Sequence, residues 1–191
     1  MRSKLTSNGY SKQFVIPAKV VRRYRFEDVD EVDVDSRGDG ILVKPVDFLC
    51  FDIWTVGYEG LGIEVFVQRL KDAGIKQLAD VRELALSRKN GFSKNALSIA
   101  LGSAGIVYAH FPELGSPSST RHEFKNGGSW NEFLSEYRRH LATQPEAFAR
   151  LKDFSMVSTT VLMCYEHDPT TCHRSIIAEQ LGGIGFKVNH L

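Results

Sequence analysis

From residue 52 onward the sequence predicts an α/β fold, an open and mostly parallel sheet with helices on both faces, and three observations predict it. Short apolar runs alternate with stretches whose apolar residues recur at helical spacing. Polar and reactive side chains gather just after the apolar runs, where the carboxyl ends of strands would lie. Up to about Val46 the pattern differs, with short strands and a glycine turn, so a small β-rich module precedes the α/β part.

In that first module Gln13 to Pro17 ends a strand, and Pro17 to Tyr24 has room for one or two helical turns. Val32 and Val34, then Ile41, Leu42 and Val43, form a hairpin around Ser36-Arg37-Gly38-Asp39-Gly40. So few residues need a second copy or the rest of the chain to cover their apolar side. Phe51 to Val56 is the first strand of the α/β part, ending in Gly57-Tyr58-Glu59-Gly60. Ile63, Phe66, Val67 and Leu70 then mark one face of a helix. Gln77-Leu78-Ala79 is a short buried strand that ends in Asp80-Val81-Arg82. A helix with Leu97, Ala100, Leu101 and Ala104 on one side closes at Gly105. Ile106 to His110 forms a third strand, followed by Phe111-Pro112-Glu113-Leu114-Gly115. Residues 116 to 129 are a polar stretch, with a lid over the site as one role open to it. Trp130, Phe133, Leu134, Tyr137 and Leu141 begin another amphipathic helix, and Pro145 opens a shorter one. Val161-Leu162-Met163 is a strand, Ile176, Ile177 and Leu181 follow on a helix, and Phe186-Lys187-Val188 is the last strand. Alternation of this kind builds a parallel sheet covered on both sides.

Composition narrows the function classes. The 191 residues carry a net charge of +1 and three cysteines, which is no disulfide framework. No run is apolar and long enough to span a bilayer, and the amino end lacks the apolar core of a signal peptide, so a cytoplasmic protein without membrane contact is expected. The neutral total hides a split. Residues 1 to 25 hold seven basic side chains and no acid, whereas residues 27 to 39 hold seven acids against Arg37.

Reactive side chains are densest between Cys164 and Arg174, in Cys164-Tyr165-Glu166-His167-Asp168-Pro169-Thr170-Thr171-Cys172-His173-Arg174. At the carboxyl edge of a parallel sheet this turn becomes the neighbour of Tyr58 and Glu59, of Asp80 and Arg82, and of His110 and Glu113. Cys172, His173 and Arg174 are expected in the first turn of a helix. There the dipole would lower the Cys172 pKa, and Arg174 would grip an anion, with Arg82 and Arg88 approaching from the second loop. Catalytic candidates are Cys172, Glu166, His173 and Cys164; substrate-binding candidates are Tyr58, Arg82, Arg88 and Arg174. The alternative is that these arginines only pair with Asp80, Glu113 or Glu166. Cys164, His167, Cys172 and His173 are four metal donors, but two are adjacent and no Cys-x-x-Cys pair nucleates a site, so no metal is predicted. No Gly-x-Ser-x-Gly elbow and no glycine-rich phosphate loop is present, and the cofactor is left unidentified.

Two resemblances add to this reading. Ser11-Lys12-Gln13-Phe14-Val15-Ile16-Pro17-Ala18-Lys19-Val20-Val21-Arg22, then Asp30-Glu31-Val32 and Ile41-Leu42-Val43-Lys44-Pro45, resemble an AbrB/MazE-type swapped-hairpin domain over residues 1–46. That resemblance implies a homodimer through interleaved hairpins and DNA contact by Lys4, Lys12, Arg22 and Arg23. Glu27-Asp28-Val29 departs from it, standing where such domains commonly have a Lys-Pro-Gly turn. Residues 52–191 resemble the family called Domain of Unknown Function 488, in Val56-Gly57-Tyr58-Glu59-Gly60, Asp80-Val81-Arg82-Glu83 with Ser87-Arg88, Pro112-Glu113-Leu114-Gly115 and Cys164-Tyr165-Glu166 through Cys172-His173-Arg174-Ser175, with Ala85 standing where members often have proline. This implies a fold and a site but no reaction. The function expected is an enzyme or ligand-binding domain acting on an anionic small molecule, nucleotide or nucleic acid. The alternatives are a ligand-sensing transcriptional regulator and an antitoxin-like interaction protein.

Overall fold

The computed structural model describes residues 51–191, together with the backbone of four short strands before them. Packing divides the chain into Met1–Leu49 and Cys50–Leu191. In the first unit β1 (Leu5–Ser7) pairs antiparallel with β2 (Lys12–Phe14), and β3 (Val32–Arg37) pairs antiparallel with β4 (Gly40–Pro45). Lys4, Arg22 and Arg23 lie outside the described residues, and Lys12 is described only as backbone of β2.

The second unit is the α/β domain, built on five parallel strands in the order β7-β6-β8-β5-β9. These are β5 (Asp52–Gly57), β6 (Gln77–Asp80), β7 (Val107–His110), β8 (Thr160–Cys164) and β9 (Lys187–His190). Every residue of β6 and β8 is buried, whereas β7 and β9 at the margins are partly exposed, as a sheet covered on both faces requires.

Strand residues alternate between two cores. Ile53, Ala79 and Leu162 face one side, with α4 (Trp130–Ala142), α5 (Pro145–Ser155) and α6 (Arg174–Gly183) packed against them through Tyr137, Leu151 and Ile177. Val56, Leu78, Val161 and Met163 face the other, covered by α1 (Ile63–Asp72) and α2 (Lys94–Ser103) through Phe66, Leu70, Leu97 and Leu101. Burying side chains of this size is worth roughly 1.5–3 kcal/mol each, which is what holds the helices to the sheet. Among the described residues no helix is long and apolar enough to cross a membrane.

One helix departs from the sequence reading. Within the polar stretch 116–129, residues Ser118–Lys125 form α3, of which only Thr120 is buried. The next helix starts with a reciprocal cap, in which Ser129 accepts from the Glu132 amide and the Glu132 carboxylate accepts from the Ser129 amide.

The sheet order places the site. The chain leaves β5 and β6 toward α1 and α2 on one face, and leaves β8 toward α6 on the other. Because β8 stands between β5 and β6, a crevice opens at the carboxyl ends of these three strands, which is where open α/β sheets bind ligands.

Candidate functional site

Two backbone contacts draw the loops of this crevice together. Gly57 packs so closely against the Glu166 carbonyl that a Cβ there would stand 1.8 Å from its oxygen, and a Cβ on Gly115 would stand 2.0 Å from the Glu83 amide nitrogen. The β5 and β8 loops extend the strand pairing, with Tyr58 N–H donating to the Cys164 carbonyl at 3.3 Å and Glu59 N–H to Tyr165 at 2.9 Å. The Glu59 carboxylate also accepts the His167 amide at 3.0 Å.

Asp80 and Arg82 form the buried centre of the second loop. Arg82 donates through Nε and Nη2 to the two Asp80 oxygens at 2.8 and 2.6 Å, and through Nη1 to Tyr58 Oη at 2.9 Å and the Phe92 carbonyl at 3.0 Å. Tyr108 Oη donates to Asp80 at 2.8 Å. Burial works against the Arg82 charge, but the hydrogen bond and charge of Asp80, with help from Tyr58, outweigh it and hold the Arg82 pKa above the usual arginine value. Most of the guanidinium is thus committed to fixing Tyr58 and the loop.

Arg174 has a different task from the anion grip expected of it. It is fully buried, and its Nη1 and Nη2 donate to the Glu166 and His167 carbonyls at 2.6 and 2.9 Å. It fastens the β8 loop from beneath and does not line the crevice.

That loop holds the thiols. Cys164 at the end of β8 donates to the Glu166 carboxylate at 3.1 Å. His173 Nε2 lies 2.8 Å from the Val81 carbonyl, which only accepts, so this nitrogen carries a proton, and in the neutral imidazole Nδ1 presents a lone pair. Nδ1 faces Cys164 Sγ at 3.7 Å and Cys172 Sγ at 3.9 Å. The Tyr137 ring packs against the imidazole in a T-shaped contact, with centroids 5.1 Å apart. The adjacent Cys172 and His173 point to one place because the backbone changes there from extended to helical.

Two expectations about Cys172 are corrected. The helix begins only at Arg174, so Cys172 and His173 precede its first turn. Burial, then the neighbouring Cys164, raise the Cys172 pKa well above the usual thiol value, the opposite direction to the lowering expected. Burial alone would lower His173 and raise Glu166. The charge and hydrogen bond of Cys172, then the Val81 carbonyl and Glu166, reverse this for His173, and its net direction is up. Hydrogen bonds from Cys172, the Glu166 backbone and Cys164, with the His173 charge, reverse it for Glu166, and its net direction is down.

The crevice itself is a cavity of about 630 Å³. Tyr58, Arg82, Arg88, Cys164, Glu166 and His173 line it, as do Lys89, Arg121 and Lys125, which sequence reasoning missed. The signal for the last two was their spacing of four residues behind Pro117, which puts them on one face of a short helix. Arg121 pairs with Glu83 at 2.7 Å and also donates to the Ser116 carbonyl, which ties α3 to the β6 loop. The β7 loop does not contribute as expected. His110 is taken up by the Arg82 carbonyl and Glu113 by Arg150, each at 2.8 Å.

No curated protein and no solved structure matches the chain. A family model does match, over residues 62–181, and its description is Domain of unknown function DUF488. The match takes in the β6 loop, α3, the β8 loop and the start of α6, hence all of the cavity wall except Tyr58. With well over half of its length matched, this chain belongs to the DUF488 family.

Proposed function

We propose that the α/β domain is an enzyme or ligand-binding domain that takes an anionic ligand, a nucleotide or nucleic-acid phosphate, into this cavity. One observation carries the reading. Arg82, Arg88, Lys89, Arg121 and Lys125 face the cavity against two carboxylates, Glu83 and Glu166. Arg82 and Arg121 are paired, and Lys89 donates to the Tyr58 carbonyl at 3.3 Å. Arg88 and Lys125 have no partner among the described residues. A wall with unneutralised cations attracts anions and concentrates them. Tyr165, Leu84 and Leu86 add exposed apolar surface for the body of such a ligand.

The test is calorimetry of the full chain against nucleoside phosphates and short single-stranded oligonucleotides at low and high salt. Binding is expected to weaken with salt, and the double substitution Arg88→Ala and Lys125→Ala to reduce it roughly tenfold. No binding at low salt, or unchanged binding by the double variant, would refute the reading.

For the amino-terminal segment the proposal is a dimerising swapped-hairpin module that contacts DNA phosphates through Lys4, Lys12, Arg22 and Arg23. Its support is the separation of basic residues 1–25 from acidic residues 27–39. Arg22→Ala with Arg23→Ala should lower the salt dependence of DNA binding by about two phosphate contacts. A wild-type chain that ignores DNA at low salt would end this part.

A further inference from the structure

We propose that Cys164 Sγ, Cys172 Sγ and His173 Nδ1 are the three protein ligands of a zinc-type divalent cation, whose fourth position opens into the cavity beside Glu166. The three donor atoms lie within 4.8 Å of one another. A tetrahedral ion with bonds of about 2.3 Å to sulfur and about 2.0 Å to nitrogen sets its sulfur–nitrogen edges at about 3.5 Å. The observed separations from Nδ1, 3.7 and 3.9 Å, need only a small contraction to meet that edge.

Two buried thiols beside a histidine are ordinarily inert core groups. Here the imidazole argues otherwise. Its proton is held on Nε2 by the Val81 carbonyl, and the lone pair on Nδ1 is aimed between the sulfurs with no other partner among the described residues. Metal-binding histidines characteristically have their far nitrogen fixed by such an acceptor, which sets the tautomer and the ring plane. The supports are rigid as well. Cys164 ends a fully buried strand, Tyr137 braces the ring, and Arg174 pins the carbonyls of the intervening loop. Two thiolates with one imidazole suit a borderline-soft ion and fit magnesium or calcium poorly.

The cavity supplies the rest of the coordination shell. Cys164, Glu166 and His173 line it, whereas Cys172 is buried and does not, so an ion held by the three ligands would meet the cavity on the side of Cys164 and His173. Three protein ligands with an open fourth place distinguish catalytic from structural zinc sites. The sequence reading discounted a metal because Cys172 and His173 are neighbours and no Cys-x-x-Cys pair nucleates the site. The extended-to-helical switch at these neighbours removes the first objection.

The experiment uses the untagged full chain, purified reduced, with zinc chloride or cobalt chloride as the only probe and no anionic ligand present, so its outcome does not depend on what the cavity binds. After dialysis the protein is expected to retain a single zinc per chain. The cobalt form should show the near-ultraviolet charge-transfer band of thiolate ligation and the visible bands of a tetrahedral site. Cys172→Ser and His173→Ala should lose the ion while circular dichroism reports on folding. X-ray absorption at the zinc edge of the wild-type chain, which needs no variant, should show two sulfur neighbours. A reduced wild-type chain that retains no metal, a zinc edge without sulfur, or a Cys172→Ser chain with an unchanged cobalt spectrum would each overturn the site. So would finding the two cysteines joined as a disulfide in the protein as isolated from cells.

Discussion

Asp80→Ala is expected to lower the unfolding free energy by about 3–5 kcal/mol, the penalty for leaving a buried charge without its partner. The side chains of Asp80 and Arg82 are 0% and 7% exposed, so solvent does little to replace the lost interaction. Asp80 accepts from Arg82 Nε and Nη2, from the Arg82 amide at 3.2 Å and from Tyr108 Oη. Its removal strands all of these donors, and an arginine does not escape by losing its proton. Urea denaturation measures the loss. The double variant Asp80→Ala with Arg82→Met should be less destabilised than the single one, because it removes the stranded charge together with its partner. A single variant within about 1 kcal/mol of wild type would show that the pair is dispensable.

Gly57→Ala is the second large effect, expected at about 3 kcal/mol, the upper end of what overpacking costs. A Cβ at this position meets the Glu166 carbonyl oxygen at 1.8 Å, its carbon at 2.5 Å and His167 Cα at 2.9 Å. All three atoms are backbone, so no side chain can swing aside. The β8 loop has to lift, and the carbonyls that Arg174 holds lift with it. Binding to the cavity should therefore weaken even at temperatures where the variant remains folded. Gly62→Ala is the control, since its Cβ meets only the Glu64 carboxylate at 3.6 Å, and it should cost under about 1 kcal/mol. Thermal unfolding compares the two directly, and equal melting temperatures for both variants would contradict the close approach.

The alternation of strands and helices was legible because apolar spacing reports the period of each element, and Phe66, Leu70, Leu97 and Leu101 all face the core as their spacing predicts. The helix Ser118–Lys125 was not, because a helix that buries only Thr120 has no apolar stripe to read. Arg121 and Lys125 were missed with it, because their four-residue spacing marks a shared face only where a helix is already expected. Residue types also conceal direction. Arg174 stands at a helix start, where an anion grip is the natural expectation, yet its side chain turns inward to two carbonyls. Convergence was harder still to see: Cys164 and Cys172 are eight positions apart in sequence, and only the turn between them brings both sulfurs to one imidazole.

The strand order has a consequence for how this domain comes into being on the ribosome. Its first strand, β5, pairs only with β8 and β9, which are made more than 100 residues later. β6 can join β7 early, but its other edge also waits for β8. The middle of the sheet therefore closes only when the last part of the chain has emerged, and until then β5 has open edges on both sides. Pairings this distant in sequence fold slowly and expose sticky edges in the meantime. β8, the strand that joins β5 to β6, also brings in Cys164 and the loop behind it, so a nascent chain that has not yet reached this strand lacks the site.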